Sequence, residues 1–183
     1  LHLCDRRQRQ MCIRDRKETD AFRFDSKTGY AYSTAPFGID TTELESAIGS
    51  KLTMVSESPA TAPFAYTNYL SEDIVQSAGC SGKFDAQFDE NDKLFSVTFH
   101  EQLARGTAEE HFEAASKRFT ETFGAPAVQD DNGTGTQYLE WQDKSSGTAL
   151  GLTYSDLGTT DPTLMISVFE KSRYVEAGTG EWK

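Results

Sequence analysis

Hydrophobic and polar positions change period several times along this chain, and each change marks an element. Residues 20–33 alternate weakly, with Phe22 and Phe24 before a Lys27-Thr28-Gly29 turn and Tyr30 and Tyr32 after it, the pattern of a short hairpin. Asp40 then stands three residues before Glu43, which predicts a capping box at the start of a helix over about 41–48. Leu44, Ala47 and Ile48 form its apolar stripe, and Gly49 supplies a left-handed stop. From Leu52 and Met54 the period switches to 2, and Val55 extends that strand. A Pro-containing connection, Ser58 to Pro63, leads to a further strand around Phe64, Tyr66 and Tyr69.

The clearest hairpin lies at 83–101. Phe84, Ala86 and Phe88 alternate with Asp85, Gln87 and Asp89; after a turn at Glu90–Lys93, Phe95, Val97 and Phe99 alternate again. The strongest helix covers 108–123. Thr107 and Glu110 predict a second capping box, and Glu109, Glu110 and Glu113 sit where the helix dipole favours negative charge. Phe112, Ala115, Phe119 and Phe123 share one face, and Gly124 and Pro126 end the helix. Burying its three phenylalanines contributes about 2 kcal/mol apiece before entropy costs. Strands follow at about 136–142, 148–154 and 163–171, and residues 175–183 read as a flexible tail.

The expected class is therefore α+β, an antiparallel sheet packed by two helices, about 41–48 and 108–123. The order helix, strands, helix, strands predicts a tandem α-β-β-β duplication. Its subrepeats would span 37–101 and 107–172, inside one domain over 17–174.

Charge and composition narrow the partners. The chain carries 29 acidic and 18 basic residues among 183, a formal net charge of -11, with 37% hydrophobic and 11% aromatic residues. That supports a packed core and argues against long disorder. No run approaches the ~18 apolar residues of a membrane span. An acidic surface also argues against nucleic acid, which needs a basic face. Residues 1–16 differ from the rest, and the string RRQRQMCIRDR resembles translated sequencing-adapter read-through. Setting aside its five arginines and two aspartates takes the net charge from -11 to -14. With the native start obscured in this way, a signal peptide or lipid anchor stays open. The periplasm or cell envelope is the first expectation for location, the cytoplasm the second.

Candidate chemistry is sparse. Cys80 sits in a Gly79-Cys80-Ser81-Gly82 stretch read as a turn, His100 ends a strand, and His111 lies in the first turn of the second helix. A Cys–His dyad needs a lowered thiol pKa and an oriented imidazole. Nothing in the spacing brings these residues together, so the plain reading is a turn cysteine and two surface histidines. A thiol-dependent hydrolase is kept as a remote alternative. One body cysteine and two separated histidines do not make a zinc site. Asp130, Asn132, Thr134 and Gly135 imitate the start of a calcium loop, but Trp141 stands where the bidentate glutamate belongs. Gly133-Thr134-Gly135 precedes a strand rather than a helix, which is the wrong context for a phosphate cradle. No cofactor or metal is expected. The pairs Asp89-Glu90, Glu109-Glu110 and Asp130-Asp131 read as solvated acidic surface. Tyr66, Tyr69, Tyr138 and Trp141 fall on predicted strands and form the candidate recognition face, with core filling as the competing role.

Phe37-Gly38-Ile39, Thr42-Glu43-Leu44 and Ile48-Gly49, within residues 37–55, resemble the helix entry of small bacterial envelope lipoproteins of the SmpA/OmlA type. The tandem layout is similar to that family and to β-lactamase-inhibitor proteins. Asp40 stands where the family usually has a glycine before the helix. The resemblance implies a non-enzymatic envelope or inhibitory binding module of bacterial origin. The expected function is thus a non-catalytic binding or scaffold domain with a protein partner. The alternative is an acidic immunity-like or inhibitor protein, steered onto a basic partner by charge.

Overall fold

The computed structural model describes residues 21–32, 35–77, 80–101, 103, 107–158 and 161–183; the basic stretch 1–16 lies outside them. Strands β1 (Phe22–Asp25) and β2 (Gly29–Tyr32) form the expected hairpin, with Phe22 opposite Tyr32. Helix α1 (Thr41–Ile48) opens on the capping box. The Glu43 N–H donates to Asp40 Oδ1 at 2.9 Å, and the Asp40 N–H donates to Glu43 Oε2 at 3.0 Å. Gly49 closes it at φ 69°, a left-handed conformation in which a side chain would be strained.

Strands β3 (Leu52–Glu57), β4 (Thr67–Ser71), β5 (Val75–Ser77), β6 (Cys80–Phe88) and β7 (Leu94–Glu101) follow. Next come α2 (Ala108–Phe123), β8 (Val128–Asp131), β9 (Thr136–Asp143), β10 (Thr148–Ser155), β11 (Thr163–Phe169) and α3 (Lys171–Glu176). The large sheet runs β3-β4-β6-β7-β11-β10-β9-β8, antiparallel throughout, so two consecutive meanders meet where β7 pairs with β11. Its edges are blunted by different means. A bulge between Met54 and Ser56 interrupts β3, and β8 exposes Asp130 and Asp131.

β4 and β5 occupy the same side of β6, separated by a break after Ser71. The buried Ser71 hydroxyl bridges that break, accepting the Phe84 N–H at 3.0 Å and donating to the Asp73 carbonyl at 3.1 Å. Ser71→Ala leaves the Phe84 donor buried without its partner. It is expected to cost about 1–3 kcal/mol, read as a lower urea midpoint at unchanged slope.

One face of the large sheet carries the core. Phe84, Phe99, Ile166, Leu152 and Leu139 line up across β6, β7, β11, β10 and β9. Helix α2 covers the β10–β11 side of this face through Phe112, Ala115 and Phe119. The β1–β2 hairpin lies against β10 and β11 as well, pinned by the Tyr30 N–H to Thr148 Oγ1 at 2.8 Å. Leu44 and Ile48 of α1 join the same cluster.

Five details depart from the sequence reading. The strand expected from Phe64 begins at Thr67, because Phe64 and Tyr66 turn into an aromatic cluster with Phe95. β8 was not expected, since Val-Gln-Asp-Asp carries no alternation; among the described strands it pairs with β9. Cys80 to Gly82, expected in a turn, begin β6. Thr107 makes no side-chain cap, because its backbone is already helical at φ -114°, ψ -15°. The helices number three among the described residues, and the stretch expected to fray folds back. The Thr179 and Gly180 N–H groups donate to the Tyr174 carbonyl, and the Lys183 N–H donates to Gln142 Oε1 at 2.9 Å. No described helix is long and apolar enough to cross a membrane.

Candidate functional site on the second sheet face

Side chains alternate across a strand, so each core position is matched by one on the opposite face. There the register aligns Asp85, Thr98, Ser167, Gly151 and Glu140 in one row, and Lys83, His100, Met165, Thr153 and Tyr138 in the next. The middle strands contribute mostly short side chains. The Thr98 and Ser167 hydroxyls share a hydrogen bond of 2.9 Å. Longer side chains rise on β6 and β9. Four inter-strand steps of about 4.8 Å put these walls about 19 Å apart.

The β9 wall is built around a buried carboxylate. Glu140 Oε1 accepts from Lys171 Nζ at 2.5 Å and from Gln142 Nε2 at 2.6 Å, while the Tyr138 hydroxyl donates to Glu140 Oε2. Both members of the Glu140–Lys171 pair are buried, and the Trp182 ring lies 5.8 Å from the ammonium. Burial, then the Glu140 charge, pushes the Tyr138 phenol far above its ordinary value, so it remains a donor. Gly151 makes room for that ring. A Cβ there would lie 3.2 Å from it, tighter than ordinary packing. Glu140 thus gathers three donors from Lys171, Gln142 and Tyr138.

The β6 wall is electrostatically softer. Burial raises the Asp85 carboxyl, with His100 opposing; burial lowers the His100 imidazole, with Asp85 opposing. Both groups therefore sit closer to neutrality than they would in water. For Asp85 the folded state prefers the protonated form, so its contribution to stability falls as pH rises through the folded value. Asp85→Asn is accordingly expected to raise the thermal midpoint modestly at pH 7. That gain should close as pH falls through the ordinary carboxylate range, and melts at pH 7 and pH 3 check it.

One end of the face is closed by aromatics. Phe64 lies 5.6 Å from Phe95 and 5.2 Å from Tyr174 of α3, and the Arg173 guanidinium stacks 4.9 Å over Phe95.

The residues singled out from sequence divide between the faces. Tyr138 stands on the β9 wall. Tyr66 joins the aromatic end, its ring 6.4 Å from Phe95. Tyr69 lies on the core side opposite Ala86, its ring 5.5 Å from Phe88. Trp141 is 1% exposed in the core, edge-on to Phe119, with its indole N–H donating to the Gly124 carbonyl at 2.8 Å. The four do not meet on one surface. The expectation of two surface histidines is corrected too. His100 is half-buried, and His111 is buried because α2 turns it inward, with Nδ1 3.6 Å from Glu101 Oε1.

The register sets Lys83, not Cys80, opposite His100; the Cys80 side chain lies outside what is described. In the calcium-like loop, Asp131 Oδ1 accepts the Gly133 N–H and Asn132 Oδ1 accepts the Thr134 and Thr136 N–H groups, an Asx-rich turn before β9. Among the described residues no group of three His, Cys, Asp or Glu is placed to hold a metal.

Asp85, Thr98 and Ser167 escaped the sequence reading. The alternation of β6 already placed Asp85 opposite the core, but only the pairing of β7 with β11 brings Ser167 beside Thr98. No protein-family model matches the chain, and no curated protein or solved structure matches it.

Proposed function

We propose that the chain is a non-catalytic binding or scaffold domain whose recognition surface is this second sheet face. The observation that carries the reading is the contrast between the two faces. One is filled by α2 and the β1–β2 hairpin. The other carries Thr98, Ser167, Gly151 and Thr153 between the longer side chains of β6 and β9, with an aromatic cluster at one end. A floor about 19 Å wide admits a loop or a helix of about 10–12 Å. The mirrored strand order supports a tandem duplication as its origin, one helix preceding each meander, with β3–β7 in the first half and β8–β11 in the second rather than three strands each. The resemblance at residues 37–55 supports placing it in the bacterial envelope.

A second reading rests on α2. Its outer side exposes Glu109, Glu110, Glu113 and Glu121, an acidic stripe that suits an inhibitor of a basic protein. Panning a displayed peptide library against the folded protein separates the two. Binders should lose at least about tenfold in affinity on Thr153→Arg or Ser167→Arg, each shown to keep its urea midpoint, and should keep it when Glu109, Glu110 and Glu113 become lysine. The opposite pattern favours the acidic reading and removes the first.

A further inference from the structure

The break between β4 and β5 leaves a notch beside the second face, at the end away from the aromatic cluster. Its groove is lined by Leu70, Ile74, Lys83 and His100. Ile74, inside the break, is a large apolar side chain that is 45% exposed. Leu70 precedes the break and is half-buried. Lys83 lies across it, donating one ammonium proton to the Glu72 carbonyl at 3.1 Å. An ammonium has three donors, so two remain to face the groove. The imidazole of His100 stands beside it on β7, directly opposite in register. Two nitrogen donors thus flank a strip of aliphatic surface on a strongly acidic chain.

We propose that this notch takes the free carboxylate end of a peptide whose last side chain is aliphatic. The carboxylate lies between Lys83 Nζ and the His100 ring, and the terminal side chain lies on Leu70 and Ile74. The argument is one of charge and shape. Apolar surface alone would admit any greasy segment, but the paired donors at its end select a terminal anion. The Glu72 carbonyl fixes the Lys83 ammonium in place before the ligand arrives, which lowers the ordering cost of binding. Asp85, one row along, is an opposing charge on the same face. The assignment rests on the second face being the recognition surface and names the partner's end that enters it.

The test uses N-acetyl-Ala-Ala-Leu with a free carboxylate, its C-terminal amide, and decanoate, each titrated into the uniformly 15N-labelled protein. The free acid should shift the amides of Ile74, Lys83 and His100, and the amide form should bind at least about tenfold more weakly. Lys83→Met and His100→Gln should each weaken the free acid, and Lys83→Arg should restore it, with melting curves showing each variant folded. Equal binding of acid and amide, or shifts confined to other surfaces, overturns the notch. Saturable binding of decanoate without the peptide overturns the peptide assignment in favour of a fatty acid. Those failures are separable from failure of the wider reading: panned binders that lose affinity on Thr153→Arg, yet do not need a free carboxylate, would sink the notch and leave the face intact.

Discussion

Lys171→Met is expected to lower the unfolding free energy by about 3–5 kcal/mol, the cost of stranding a buried charge. In the folded chain Glu140 is buried and takes three donors, from Lys171, Gln142 and Tyr138. Removing the ammonium leaves a carboxylate in low dielectric with two neutral donors. The double variant Lys171→Met with Glu140→Gln removes both charges and keeps an acceptor for Tyr138, so it should recover most of the loss. A double-mutant cycle by urea denaturation reads the coupling, which is expected to exceed about 2 kcal/mol. Additive losses would mean that the pair contributes no more than an exposed one.

Trp141→Ala should cost about 3–5 kcal/mol. The indole is 1% exposed, packs edge-on against Phe119 and ties the end of α2 to β9 through the Gly124 carbonyl. Trp141→Phe separates the two contributions. It keeps an aromatic ring against Phe119 but removes the donor to Gly124, so it should cost about 1–3 kcal/mol. Equal losses for Phe and Ala would place the stabilisation in the hydrogen bond rather than in the packing. Both variants are read by urea unfolding, with the slope checked for two-state behaviour.

Local chemistry explains what the sequence makes legible. The Asp40–Glu43 box, the Gly49 stop and the Phe stripe of α2 were readable because their partners lie within one or two helical turns. The alternation of β6 and β7 was readable because each strand carries apolar residues on one face and polar residues on the other. The site was much less so. Lys171 meets Glu140 across 31 positions, and Ser167 meets Thr98 across 69, with no local pattern announcing either. Tyr66, Tyr69, Tyr138 and Trp141 shared a residue class but not a face, because strand parity sends Tyr138 and Trp141 to opposite sides of β9 and Tyr66 lies before β4 begins. β8 was invisible for a related reason, since an edge strand guarded by aspartates lacks the alternation that identifies a buried one.

The same parity rule gives the functional reading its sharpest form. A partner that binds the second face must touch side chains from β7, β10 and β11 together, whereas a partner drawn to the acidic stripe touches one helix. The decisive measurement is 15N chemical-shift mapping of the folded protein with the tightest peptide from the panning. Shifts clustered at Thr98, His100, Thr153, Met165 and Ser167, with residues 109–121 unmoved, are the predicted result. Shifts clustered along 109–121 with the sheet face unmoved would contradict it.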